Sequence, residues 1–177
     1  MLPQEVVARV TSYIRHQGAK PPGELADLVR AGQQKLLDAI GRVDEDCASR
    51  KPAPEEWSLR ELMLHVVSAE RGLAHMIGQI SAGTLDATGS TQERSQRLVG
   101  MSQQDDGATF AELLAELRDV NERTLAAVRA IPEDADRSAK PHHPFFGPLD
   151  VFEWAAFQRV HDEDHAQHAR KILEAVR

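Results

Sequence analysis

The chain predicts an all-α fold, a four-helix bundle, on three observations. Apolar residues recur at helical spacing in almost every long segment. No segment sustains the apolar–polar alternation of a half-buried strand, so no β-sheet is expected. At three places a capping residue is followed three positions later by a glutamate, the reciprocal pairing that opens a helix by satisfying two free backbone N–H groups.

In chain order, residues 3–17 predict a short helix with Val6, Val10 and Tyr13/Ile14 on one face, ended by Gly18 and Pro21–Pro22. Residues 23–43 carry the stripe Leu25, Leu28/Val29, Leu36, Ile40 and Val43 and make the first bundle-length helix. The stretch DEDCASRKPAPEEW reads as loop. Ser58 and Glu61 then form a capping box, with Trp57 and Leu62 placed for a hydrophobic staple. The helix they open runs to about 81, with Leu62, Val66, Ala69, Leu73, Met76/Ile77 and Ile80 inward. Residues 82–108 are polar and Gly/Ser/Thr-rich, too long for an ordinary bundle loop, and read as a crossover or lid in which TQERSQRLVG makes a helical turn or two. Thr109 and Glu112 open the next helix, which Pro132 closes. Asp150 and Glu153 open the last, which continues to the end.

Connection lengths set the topology. Short loops make neighbours antiparallel, whereas a connection of about 27 residues at roughly 3.3 Å each can return along a helix of about 35 Å. The second and third long helices are therefore expected to be parallel, in an up-down-down-up order. The 177 residues fit one domain, with the bundle from about residue 20 and residues 1–19 as a helical extension.

Composition narrows the function. No apolar run approaches bilayer length, and MLPQEVVARV lacks the basic start and apolar core of a signal peptide, so a cytoplasmic protein is expected. The 28 acidic against 21 basic residues, net −7, argue against nucleic acid as partner. A single cysteine, Cys47 beside three acids, makes neither a disulfide nor a cysteine-built zinc site. A small-molecule substrate and a homodimer are the expected partners. Phosphate-cradling glycine loops, Gly-x-Ser-x-Gly elbows and paired CxxC motifs do not occur.

The chemistry concentrates in HDEDHAQHAR, residues 161–170. Positions 151, 154, 158, 161, 165, 168, 172 and 175 advance by threes and fours and read Val, Trp, Gln, His, His, His, Ile, Ala. At about 100° per residue the three histidines share the face of Trp154, Phe157, Ile172 and Val176, where a core would take leucine. Buried imidazoles need partners. His161 and His165, four residues and about 6 Å apart along the axis, can converge on one ion, whereas His161 and His168 are separated by about 10.5 Å. A third ligand must come from another helix; His65, inward beside Ala69 and Gly72, is the better candidate, and His75 the weaker. Three nitrogen ligands would leave a coordination position open for chemistry. Asp162, Glu163 and Asp164 are expected on the solvated side, with Asp164 nearest the seam and the candidate catalytic carboxylate. HDEDH carries Asp162 where a zinc peptidase HExxH has its longer glutamate base, which disfavours a peptidase. His142 and His143, just before the last helix, are expected to be solvent-exposed loop residues.

Two stretches, WSLRELMLHVVSAE and HPFFGPLDVFEWAAFQRVHDEDHAQH, with the helix order, resemble the DinB/YfiT-like family of metalloenzymes over roughly residues 20–177. The resemblance implies an up-down-down-up bundle and a divalent ion, zinc or nickel, held by His65, His161 and His165. Relatives of this kind include transferases and isomerases that use low-molecular-weight thiols as cosubstrates. His168 departs from the glutamine frequent in the family, and stands as an alternative ligand or a support for the others. The leading expectation is therefore a metal-dependent transferase or hydrolase activating a thiol or water, with S-transfer favoured by the resemblance. The alternative is a non-catalytic, stress-linked binding or dimerisation module whose metal is structural or absent.

Overall fold

The computed structural model describes residues 3–84 and 107–177. Among them are α1 (Gln4–Gln17), α2 (Pro22–Ile40), α3 (Glu45–Ser49), α4 (Leu59–Ser81), α5 (Phe110–Arg129), β1 (His142–His143), β2 (Gly147–Pro148) and α6 (Val151–Val176). The crossover segment containing TQERSQRLVG lies outside the described residues. No helix among those described is long and apolar enough to cross a membrane.

All three capping boxes form. Ser58 Oγ accepts from the Glu61 N–H at 3.2 Å while Glu61 Oε2 accepts from the Ser58 N–H at 2.8 Å. Thr109 with Glu112, and Asp150 with Glu153, repeat the arrangement at α5 and α6. Each such cap contributes about 1 kcal/mol. Trp57, the staple residue, stands with its ring against His65 and His168.

Two apolar clusters fill the bundle and fix the helix directions. One collects Leu36 and Ile40 of α2, Leu59, Leu62 and Val66 of α4, Phe110 and Leu113 of α5, and Ala169 and Ile172 of α6. The other collects Leu25 and Val29, Leu73 and Ile77, Leu125 and Val128, and Val151 and Ala155. The starts of α4 and α5 thus lie together with the ends of α2 and α6, so α4 and α5 are parallel to each other and antiparallel to α2 and α6. This is the up-down-down-up bundle. α6 packs between α2 and α4, α5 touches both of these on the other side, and α1 docks on α6. Gly32 permits the α2–α6 approach: a Cβ there would stand 3.2 Å from the Arg159 backbone and 3.3 Å from Asp162 Cβ.

A polar layer separates the clusters. Gln33, Glu70, Asn121, Thr124, Gln158 and Asp162 are all buried, one or two from each of the four long helices. Asp162 was expected on the solvated side and is instead fully buried. The reason is its spacing from Ala155, Ala166 and Ala169, small residues that let α6 press its 155–162–166–169 line into the bundle.

Two further expectations change. The stretch after α2, read as loop, contains the single-turn α3, opened by the Asp44 side chain accepting from the Cys47 N–H at 2.8 Å. Ahead of α6, His142 pairs with Pro148 and His143 with Gly147 in a minimal antiparallel hairpin, although no sheet was expected. Two-residue strands are too short to show alternation, and Gly147, the first residue of β2, leaves the turn with φ of 75°.

Candidate metal centre

The site is built on the facing sides of two antiparallel helices, α4 and α6, level with the polar layer. His65 lies five residues before Glu70 on α4, and His161 immediately precedes Asp162 on α6. Because α6 turns Asp162 into the core, its neighbour at 161 emerges at the α4–α6 seam, and His165 follows on the same face one turn later.

His65, His161 and His165 each bring one ring nitrogen into a group whose members all lie within 4.8 Å of one another. Ring centroids are 4.3 Å apart for His161 and His165, 5.0 Å for His65 and His165, and 5.8 Å for His65 and His161. His161 Nε2 and His165 Nε2 face each other at 3.1 Å. Two nitrogens bound to one tetrahedral zinc at about 2.0–2.1 Å stand about 3.3 Å apart, so this spacing fits two ligands of one ion. The Nδ1 atoms of all three rings are buried with no hydrogen-bond partner among the described residues. Burial of that kind is expensive for a ring without a further function.

Electrostatics put the trio in the ligand form. Burial first, then the neighbouring imidazoles of His161 and His168, push His65 down to about 4. Burial likewise lowers His161 to about 4, opposed by the charge of Asp164. His165 falls to about 2, through burial and then His161, His65 and His168. All three are neutral at pH 7, with lone pairs available to a cation.

The remaining candidates fall outside the trio. His168 is half-buried at the rim, its ring stacked on Trp57 at 6.2 Å between centroids. His75 is exposed. Asp164 is exposed too, and reaches the site only through its charge on His161. His142 is exposed, but His143 is buried at 8 % exposure, contrary to the expectation for a loop histidine. The hairpin folds its ring under Phe146 and against Trp154 and Phe157.

Sequence reasoning missed the carboxyl pair beside the trio. Glu70 accepts from Gln33 Nε2 at 3.5 Å and Thr124 Oγ1 at 3.4 Å, and in its satisfied orientation the Asn121 amide donates to both Glu70 oxygens at 2.9 and 2.8 Å. Asp162 Oδ1 accepts from Gln158 Nε2 at 2.7 Å. Burial, and for Glu70 also the Asp162 charge, raises both carboxyls well above their usual range. The signal for Glu70 was its place four residues after Val66 on the inward stripe, and for Asp162 its place among the alanines.

Fold and site together define a four-helix bundle with a cluster of three histidines that could hold a metal between antiparallel neighbours. The profile of the DinB superfamily matches residues 28–169, most of the chain. The protein belongs to the DinB superfamily. It is also similar to the uncharacterized protein YuaE of Bacillus subtilis (strain 168), with 24% identity over 143 residues, covering 76% of this chain and 88% of that relative.

Proposed function

We propose that this protein is a divalent-metal-dependent enzyme in which His65, His161 and His165 hold zinc or nickel and leave one coordination position open. The observation that carries this reading is the convergence of three neutral imidazoles, each bringing one ring nitrogen to within 4.8 Å of the others. When bound, the ion would lower the pKa of a thiol or water toward neutrality and so supply a nucleophile. The helices hold the ligands: α6 sets the four-residue pair, and α4 brings His65 across the seam. Burial keeps the imidazoles unprotonated. Trp57, against both His65 and His168, lends the site an apolar wall suited to a small electrophile. Among the reactions open to such a centre we favour transfer to the sulfur of a low-molecular-weight thiol, as the family resemblance suggests.

The test is metal analysis of protein purified without chelators, then titration of the metal-free protein with zinc and nickel. One ion per chain, lost in His161→Ala, is expected. Absence of stoichiometric binding by the wild-type chain would refute the reading. A panel of small electrophiles with several thiols then separates S-transfer from hydrolysis.

A further inference from the structure

His143 has an environment that the three-histidine centre does not explain. Its Nδ1 accepts hydrogen bonds from the backbone N–H groups of Phe145 at 3.1 Å and Phe146 at 3.3 Å. A ring nitrogen that accepts in this way carries no proton, so the neutral imidazole holds its hydrogen on Nε2. The ring is enclosed by Phe157, Phe146 and Trp154 at centroid distances of 4.4, 4.6 and 5.3 Å. No protein group among the described residues accepts from Nε2. A staple for the hairpin would need only the acceptor, which an asparagine side chain supplies in many turns. The imidazole adds a donor, and because Nε2 is not among the buried unpartnered polar atoms its hydrogen reaches the protein surface, where an acceptor from outside can meet it.

The geometry relates this donor to the trio. Phe157 touches His143 on one side and His161 on the other, the latter at 5.9 Å, because residues 157 and 161 lie one turn apart on α6. Trp154, Phe157, His161 and His165 form one row, and a single phenyl ring separates the His143 box from the imidazole cluster.

We propose that His143 is a ligand-orienting residue of the same site, its Nε2–H donating to an acceptor oxygen on a small substrate whose reacting end lies at His65, His161 and His165. Phe157 covers the apolar stretch between the two ends. The substrate class is an apolar, ring-sized electrophile with a carbonyl or carboxylate oxygen about one ring's width from the reacting centre. His143 is not itself a metal ligand, since its accepting nitrogen is committed to the hairpin. The inference rests on the trio being a metal centre with an open position.

The zinc-loaded protein is titrated calorimetrically with terephthalate, which has oxygen at both ends of a ring, and with benzoate, which lacks the second. Terephthalate should bind the wild-type protein roughly three- to tenfold more tightly than benzoate, the range of one neutral hydrogen bond. His143→Asn keeps the hairpin acceptor and should erase that difference while zinc stoichiometry stays unchanged and the chain remains folded, with Tm lowered by the lost ring packing. Nitrogen-15 spectra of the wild-type protein should show neutral His143 protonated on Nε2, with that signal moved by terephthalate far more than by benzoate. Equal affinity for the two probes, no terephthalate binding, a difference that survives His143→Asn, or a proton on Nδ1 would each overturn the inference. The preceding zinc titration tells this apart from failure of the metal centre: a wild-type chain that binds no zinc overturns both, whereas zinc binding without probe discrimination overturns this inference alone.

Discussion

Two polar clusters sit side by side in this bundle, and they solve the problem of burial differently. The carboxyl layer of Glu70 and Asp162 is served by Gln33, Asn121, Thr124 and Gln158, all from the surrounding helices. Among the described residues, Asp162 Oδ2 is the one carboxyl oxygen of the pair left without a hydrogen-bond partner. The imidazole cluster, one residue away along α6, has no such retinue. Among the described residues, its only polar contact close enough for a hydrogen bond is between two of its own members, His161 and His165, and three Nδ1 atoms are left over. A cluster largely completed by protein holds helices in register; a cluster left incomplete at the α4–α6 seam is where something else can bind.

The sharpest break in that comparison is removal of a ligand. His161→Ala or His65→Ala should lower zinc or nickel affinity by at least about 100-fold in calorimetric titration, with the metal-free chain still folded. The contrasting substitutions in the carboxyl layer should act on stability. Glu70→Ala or Asp162→Ala leaves buried partners unsatisfied and should cost about 3 kcal/mol in urea unfolding, whereas Glu70→Gln, which keeps a neutral hydrogen-bonding group, should cost under about 1.5 kcal/mol.

The two clusters also answer pH with opposite sign. The imidazoles of His65 and His161 have folded pKa values of about 4 against an ordinary value of 6.5, so the unfolded chain binds more protons between these limits. Their contribution to metal-free stability is complete above pH 6.5 and is lost as pH falls toward 4. The carboxyl pair is raised above its unfolded range, so its contribution is complete at low pH and is lost as pH rises through the raised values. Urea midpoints across pH should show both slopes in the wild-type chain, and Glu70→Gln should remove the Glu70 part of the alkaline-side loss without altering the acid side. The smallest effect is expected at His168, which stacks on Trp57 outside the converging trio: His168→Gln should change metal affinity less than about threefold, within the range of a rim contact.

Much of this was legible in the sequence because it is written locally. Ser58/Glu61, Thr109/Glu112 and Asp150/Glu153 announce helix starts through contacts three residues apart, and all three form. The four-residue spacing of His161 and His165 is likewise a property of one helix. Residues whose role depends on a second helix were harder to read. Asp162 looked solvated because it heads a run of three acids, and only the close approach of α2 at Gly32 turns it into the core. His143 looked like an exposed loop residue because a seven-residue hairpin with two-residue strands gives no periodicity, and its burial depends on three aromatic rings brought in by the fold.

X-ray absorption of the zinc-loaded wild-type protein tests the central claim most directly. The trio predicts three imidazole nitrogens at about 2.0–2.1 Å and one further light ligand, with one imidazole lost in His165→Ala. A coordination shell of carboxylate oxygens, or one in which His168 replaces His65, would contradict it.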